Sequence, residues 1–172
     1  MGIIKKIKGQ APQLGENNWL AETAVVVGQV KSGKDCTFWF HSVVRGDVNT
    51  IELGDKVNVQ DAAILHVSYE RAKLTIGSNV SIGHRAIVHG CTIKDNVLIG
   101  MGATVMDHAV IGENSIIAAG AVVLEKTIVE PNSIYAGVPA KKVKDLEPGK
   151  NQEMITRIAG NYRMYADWYE EE

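Results

Sequence analysis

The chain has 172 residues, 45% of them hydrophobic and 22% charged, with a formal net charge of -2. This is the balance of one globular domain with its own core, and it excludes a nucleic-acid footprint. No apolar run approaches the ~18 residues of a membrane-spanning helix, so neither nucleic acid nor membrane is expected as a partner.

The opening stretch MGIIKKIKGQ is too short and charged to read as a secretory signal. Cys36 and Cys91 form no spaced metal pair and fit a reducing compartment; a cytoplasmic location is expected. Glycine is frequent at 17 residues and phenylalanine scarce at two, while valine and isoleucine dominate. Such a composition favours many short strands joined by tight turns.

In chain order, Val27-Gly28 opens a repeat, and Leu53-Gly54, Val59 and Leu65 continue it at a step of six. A step of eleven then leads from Leu65 to Ile76, so the stretch Val67 to Lys73 is expected to project as a mobile loop. Beyond it the repeat is clean through Ile76, Ile82, Val88, Ile93, Ile99, Val105, Ile111, Ile117 and Val123, every step six except one of five after Val88. A period of six suits neither an amphipathic helix nor an alternating strand; it marks a hexapeptide β-helix, mainly β. Pro131 and Pro139 mark its end, and Pro148-Gly149 is a break. Ile155, Ile158, Tyr162, Tyr165 and Tyr169 then define the apolar face of a final helix, expected to cover the coil.

The frame assigns directions to the histidines. His66 follows Leu65 and His89 follows Val88, three rungs apart. On a three-sided coil they share a face of successive turns, one strand spacing of roughly 4.8 Å apart. Both imidazoles can then reach one metal ion at ~2.0–2.1 Å. His84 follows Gly83 in a rung on another side, so it points away and can complete the site only from a neighbouring subunit of a three-fold assembly. Three histidines leave the fourth zinc position open, as a catalytic site requires. Imidazole also suits iron and cobalt, which makes Fe2+ or Co2+ alternatives to Zn2+. His41 and His108 read as surface histidines.

Arg45-Gly46-Asp47, the run Asn58-Val59-Gln60-Asp61 leading to Leu65-His66, Gly83-His84, Val88-His89-Gly90 and the terminal Gly137-Val138-Pro139-Ala140-Lys141 together resemble the γ-class carbonic anhydrases and their close relatives, over nearly the whole chain. The resemblance implies a left-handed parallel β-helix with a C-terminal α-helix and a homotrimer. Residues 1–172 are expected to form a single domain, with the β-helix at about 11–140 and the helix at about 150–170 packed on it. It further implies that His66, His84 and His89 hold zinc. Arg45 and Asp47 match the family's RGD element, which pairs across the trimer interface near the metal, and Gln60 and Asp61 match its second polar pair. Those acids and the arginine serve either assembly or catalysis; Gln60 would orient substrate or a metal-bound hydroxide. Tyr165 lies where many relatives carry a tyrosine in the final helix, with Tyr162 as the weaker alternative.

Two departures bear on rate. Val48 stands where the founding archaeal type has a glutamate, and the loop VSYERAK carries one acid, Glu70, in place of a long acidic loop with a proton shuttle. The implied reaction is zinc-dependent, reversible hydration of carbon dioxide to bicarbonate by a metal-bound hydroxide, at a site shared between subunits. The alternatives are a metal-dependent thioesterase acting on acyl-CoA, a hexapeptide acyltransferase, which also carries the terminal GVPAK element, and a catalytically weak trimeric scaffold.

Overall fold

A six-residue aliphatic period produces two-residue strands separated by tight corners. In the computed structural model of the chain, these strands wind into a left-handed parallel β-helix with three faces. The structure describes residues 2–147 and 149–170, with backbone only at Lys150 and Asn151. The first face stacks the opening halves of Val25–Ser32 and Val43–Leu53, then Ile64–His66, Ile87–His89, Thr104–Val105 and Val122–Val123. The second takes the closing halves of the same two long strands, then Leu74–Ile76, Thr92–Ile93, Val110–Ile111 and Ile128–Val129. The third runs from Trp19–Leu20 through Thr37–Phe38, Asn58–Val59, Ser81–Ile82, Leu98–Ile99 and Ile116–Ile117 to Ser133–Ala136. The strand Lys141–Asp145 folds back antiparallel on this last member.

The nine aliphatic residues from Ile76 to Val123 all point inward, none more than 2% exposed. At the start the frame shifts by one. Val26, in register with Val44, is the inward residue, whereas Val27 pairs with the outward Arg45. Val25, Val26 and Val27 are equally hydrophobic, so register and not hydropathy selects the one that enters the core.

One corner shows how sequence sets the turn. Just before each third-face strand a residue takes a left-handed backbone: Asn17, Asp35, Lys56, Asn79, Asn96, Asn114 and Asn132, with φ between 52° and 58°. Asparagine tolerates this region better than other residues with a Cβ, because its short side chain bonds locally. Successive coils also leave no room at Gly100, where a Cβ would lie 2.5 Å from the Ala119 amide nitrogen.

The helix Lys150–Trp168 lies on the third face, against Thr37–Phe38, Asn58–Val59 and Ser81–Ile82. Its contact line is rotated slightly from the expected apolar face. Ile155, Ala159 and Ala166 are buried with Tyr162 between them, while Ile158 and Tyr165 flank the line. Alanine at the line allows a close approach that larger side chains would prevent. Tyr169 reaches back over Trp19 and Phe40, at 5.5 and 5.6 Å between ring centres. Gly149, at φ 89°, precedes the helix, and Pro148 of the expected break lies outside the described residues. No described helix is long and apolar enough to cross a membrane.

A regular coil uses 18 residues, as from Leu98 to Ile116. Three successive coils depart from this. Thr37 to Asn58 takes 21, Asn58 to Ser81 takes 23 and Ser81 to Leu98 takes 17. The first insertion bulges between Gly46 and Ile51. The second is the projecting loop, narrower than expected: Val67 and Ala72 are buried, and a Ser68–Ala72 bridge leaves Tyr69, Glu70 and Arg71 outside. The loop is also tied down by Arg71 pairing with Glu125 at 2.5 Å. The deletion falls at Gly90. All three irregularities sit where the first face turns into the second.

Candidate metal centre

Leu65 and Val88 are fully buried partners on the first face, so the residue after each must point outward. That places His66 directly beside His89, with His66 Nδ1 3.0 Å from His89 Nε2. The far nitrogen of each ring meets a carboxylate: His66 Nε2 lies 3.1 Å from Asp47 Oδ1, and His89 Nδ1 lies 2.5 Å from Asp107 Oδ1. Arg45 pairs with the other oxygen of Asp47 at 2.5 Å. The two insertions touch here as well, because the Asn49 side chain donates to the Ser68 carbonyl at 3.2 Å.

His84 stands apart, on the turn after Ser81–Ile82. Its Nδ1 is 2.8 Å from Asp61 Oδ2, and Tyr162 directs its hydroxyl at Nε2 from 3.4 Å. Gln60 is buried and fixes the turn: it accepts the His84 backbone N–H at 3.2 Å and donates to Asn58 at 3.0 Å. Gly83 is required, since a Cβ there would lie 2.7 Å from the Met101 amide nitrogen. Tyr165 packs its ring against Tyr162 and Trp168, at 5.7 and 5.0 Å.

The expected residues therefore gather in two clusters: Arg45, Asp47, His66 and His89 on the first face, and Gln60, Asp61, His84 and Tyr162 at the corner between the third and first faces. Among the described residues of one chain, no set of three or more histidine, cysteine, aspartate or glutamate side chains is arranged to hold a metal. Each of the three histidines nonetheless has one ring nitrogen against an aspartate. Asp107 and Ser68 were missed by the sequence reading. The available signal was coil length: the shortened coil pairs Val88 with Val105, so Asp107 falls one position past the register partner of His89, at the same corner.

Electrostatics shift three groups at the first cluster, His66, Asp47 and Asp107. Burial holds the His66 imidazole below its ordinary pKa, with Arg45 and His89 acting in the same direction and Asp47 opposing them. Burial works against ionisation of Asp47, yet hydrogen bonds from Arg45 and His66 outweigh it and keep the carboxyl low. Asp107 is likewise held low, despite burial, by Ser68 and His89. Burial, with Asp61 and Tyr165 adding to it, pushes the Tyr162 phenol up to about 12, so it remains a hydrogen-bond donor.

The exterior beside His66 and His89 is apolar. Val43, Ile64, Ile87, Thr104 and Val122 stack in register along the first face with their side chains outward, and Ile64 and Ile87 are each 41% exposed.

Coil and site together define a hexapeptide-repeat β-helix protein with carboxylate-backed histidines. The family model for the bacterial transferase hexapeptide (six repeats) matches residues 73–105 and 90–125. A carbonic anhydrase of Geobacillus kaustophilus is 42% identical over 97% of this chain and 91% of its own length. The mitochondrial gamma carbonic anhydrase 1 of Arabidopsis thaliana is 35% identical over 92% of this chain, which spans 59% of that longer protein. The crystal structure of a hexapeptide transferase family protein from Anaplasma phagocytophilum superposes with a TM-score of 0.91, at 34% identity, covering 97% of this chain and 98% of that one. The chain belongs to the γ-class carbonic anhydrase-like family.

Proposed function

We propose that this chain catalyses the reversible hydration of carbon dioxide at a zinc centre shared between subunits of a homotrimer, His66 and His89 coming from one subunit and His84 from the next. The observation that carries this reading is the histidine–aspartate pairing. His66, His84 and His89 each have one ring nitrogen against Asp47, Asp61 or Asp107 and the other free of carboxylate contact. Catalytic zinc sites use such a donor set, since the outer carboxylate fixes the ring and raises its basicity. Two separated clusters and an apolar column beside one of them support completion of the site by a second subunit.

Bound zinc supplies enough acidity to ionise water near pH 7. The rest falls to the chain. Asp47, Asp61 and Asp107 orient the rings. Gln60 holds the His84 turn through its carbonyl and keeps one amide proton for a substrate oxygen. Arg45, 44% exposed and paired with Asp47, offers a cation to an anionic product or to a carboxylate across the interface. Glu70 sits exposed at the loop tip, and Val48 cannot carry a proton, so proton removal depends on external buffer. Tyr162, from the helix, contacts His84 and excludes water from that side, with Tyr165 packed behind it.

The test is metal analysis of protein purified without chelator, with sedimentation for subunit count, then stopped-flow hydration at rising buffer concentration. About one zinc per subunit and a buffer-dependent rate would support the reading; a metal-free, inert trimer would sink it. Acyl transfer is the second reading, supported by the transferase name of the Anaplasma relative and by Gly137–Lys141. Release of free coenzyme A from acetyl-CoA, with an amine present and no zinc needed, would favour it.

A further inference from the structure

Asp107 is not part of the expected metal or catalytic set, yet several features converge on it. Its Oδ1 lies 2.5 Å from His89 Nδ1. A carboxylate only accepts hydrogen bonds, so Nδ1 must carry the proton and donate it. In the neutral ring that leaves Nε2, the nitrogen facing His66, with the lone pair. The second oxygen of Asp107 is engaged too: Ser68 donates its hydroxyl to Oδ2 at 2.6 Å. Ser68 belongs to the inserted loop and is itself held by Asn49 from the other insertion. Finally, the chain clears space for the carboxylate. Gly90 follows His89 with φ 49°, and a Cβ there would lie 2.4 Å from Asp107 Oδ1.

We propose that Asp107, locked by Ser68 and given room by Gly90, is a positioning residue that fixes His89 as the Nδ1–H tautomer and aims Nε2 at the metal. The irregularities of the repeat then have a purpose. A regular 18-residue coil would offer neither the Ser68 hydroxyl nor the glycine corner. The inference rests on the reading of His89 as a metal ligand.

Two measurements on the full-length protein separate this inference from that reading. The first is a long-range 15N–1H correlation spectrum of the metal-free protein, which reports the proton on each ring nitrogen. The second is a zinc titration. In the native protein His89 should show a protonated Nδ1 and an unprotonated Nε2. In Asp107→Ala the tautomer should become mixed and the zinc Kd should rise ~10–100-fold, while the melting temperature stays close to native. Asp107→Asn, which can still accept from Nδ1, should recover part of the affinity. Ser68→Ala, which leaves the carboxylate in place but loosens it, should give a smaller loss and serves if the aspartate variants fold poorly. Native zinc affinity and an unchanged tautomer in both Asp107→Ala and Ser68→Ala would overturn the proposal alone. Failure of the native protein to bind zinc would overturn the histidine reading and the proposal with it.

Discussion

His66 and His89 are 23 positions apart in sequence and directly opposite in the sheet, with 3.0 Å between His66 Nδ1 and His89 Nε2. The spacing is a coil of 18 residues lengthened by the five of the projecting loop, which bulges outward and leaves the flanking strands in register. Metal-ligand roles for these residues lead to complementation. Mixed refolding of His84→Ala with His66→Ala subunits should restore zinc binding and hydration, because one interface can pair the intact His66 and His89 of one subunit with the intact His84 of the other. No regain, with mixed trimers present by mass spectrometry, would mean that His66, His84 and His89 do not form one site shared between subunits.

The outward column should decide assembly. Ile87→Asp places a charge on an apolar stack beside Ile64 and Thr104. It faces outward, so the monomer fold should survive with an unchanged circular dichroism spectrum. If the proposed trimer forms through this column, sedimentation should show its loss, and zinc affinity should fall with it. A trimer with native affinity would place the interface elsewhere.

Core truncation tests the coil. Ile99 is fully buried between Ile82 and Ile117. Ile99→Ala should cost ~2–5 kcal/mol in chemical unfolding, whereas Met101→Ala, at 59% exposure in the starting residue, should shift stability little.

Gly83→Ala tests the turn that carries His84. The added Cβ would fall 2.7 Å from both the Ile99 carbonyl oxygen and the Met101 amide nitrogen. Backbone must move, at ~1–3 kcal/mol of stability, and His84 moves with it. Zinc affinity should therefore drop more than for an equally destabilising core change such as Val105→Ala.

Cys36 gives a pH test. Burial pushes its thiol from an ordinary 9.0 up to about 12, and Cys91 shifts in the same direction for the same reason. The folded state thus holds these protons more tightly than the unfolded chain. Their contribution to stability is full below about pH 9 and is lost as pH rises toward 12. Urea unfolding should show stability falling over that window, less steeply in Cys36→Ala. Native protein should resist iodoacetamide at pH 8 and label fully once unfolded.

The sequence by itself determined the coil, because a six-residue period of β-branched residues has no other way to bury one side chain per strand. It also determined that His66 and His89 share a face, since both follow an inward aliphatic residue, and that His84 lies on another. It could not choose among the three valines at the start, where hydropathy is uniform and only register discriminates. Nor could it rank Ile158 against Ala159 on the helix, where closeness of approach, not hydrophobicity, sets the contact line. Asp107 and Ser68 were beyond its reach for a related reason. Their partnership spans 39 positions and depends on how two insertions and a deletion add up around one corner. Periodicity reports the regular part of a coil; only the tertiary structure decides which side chains meet where the regularity fails.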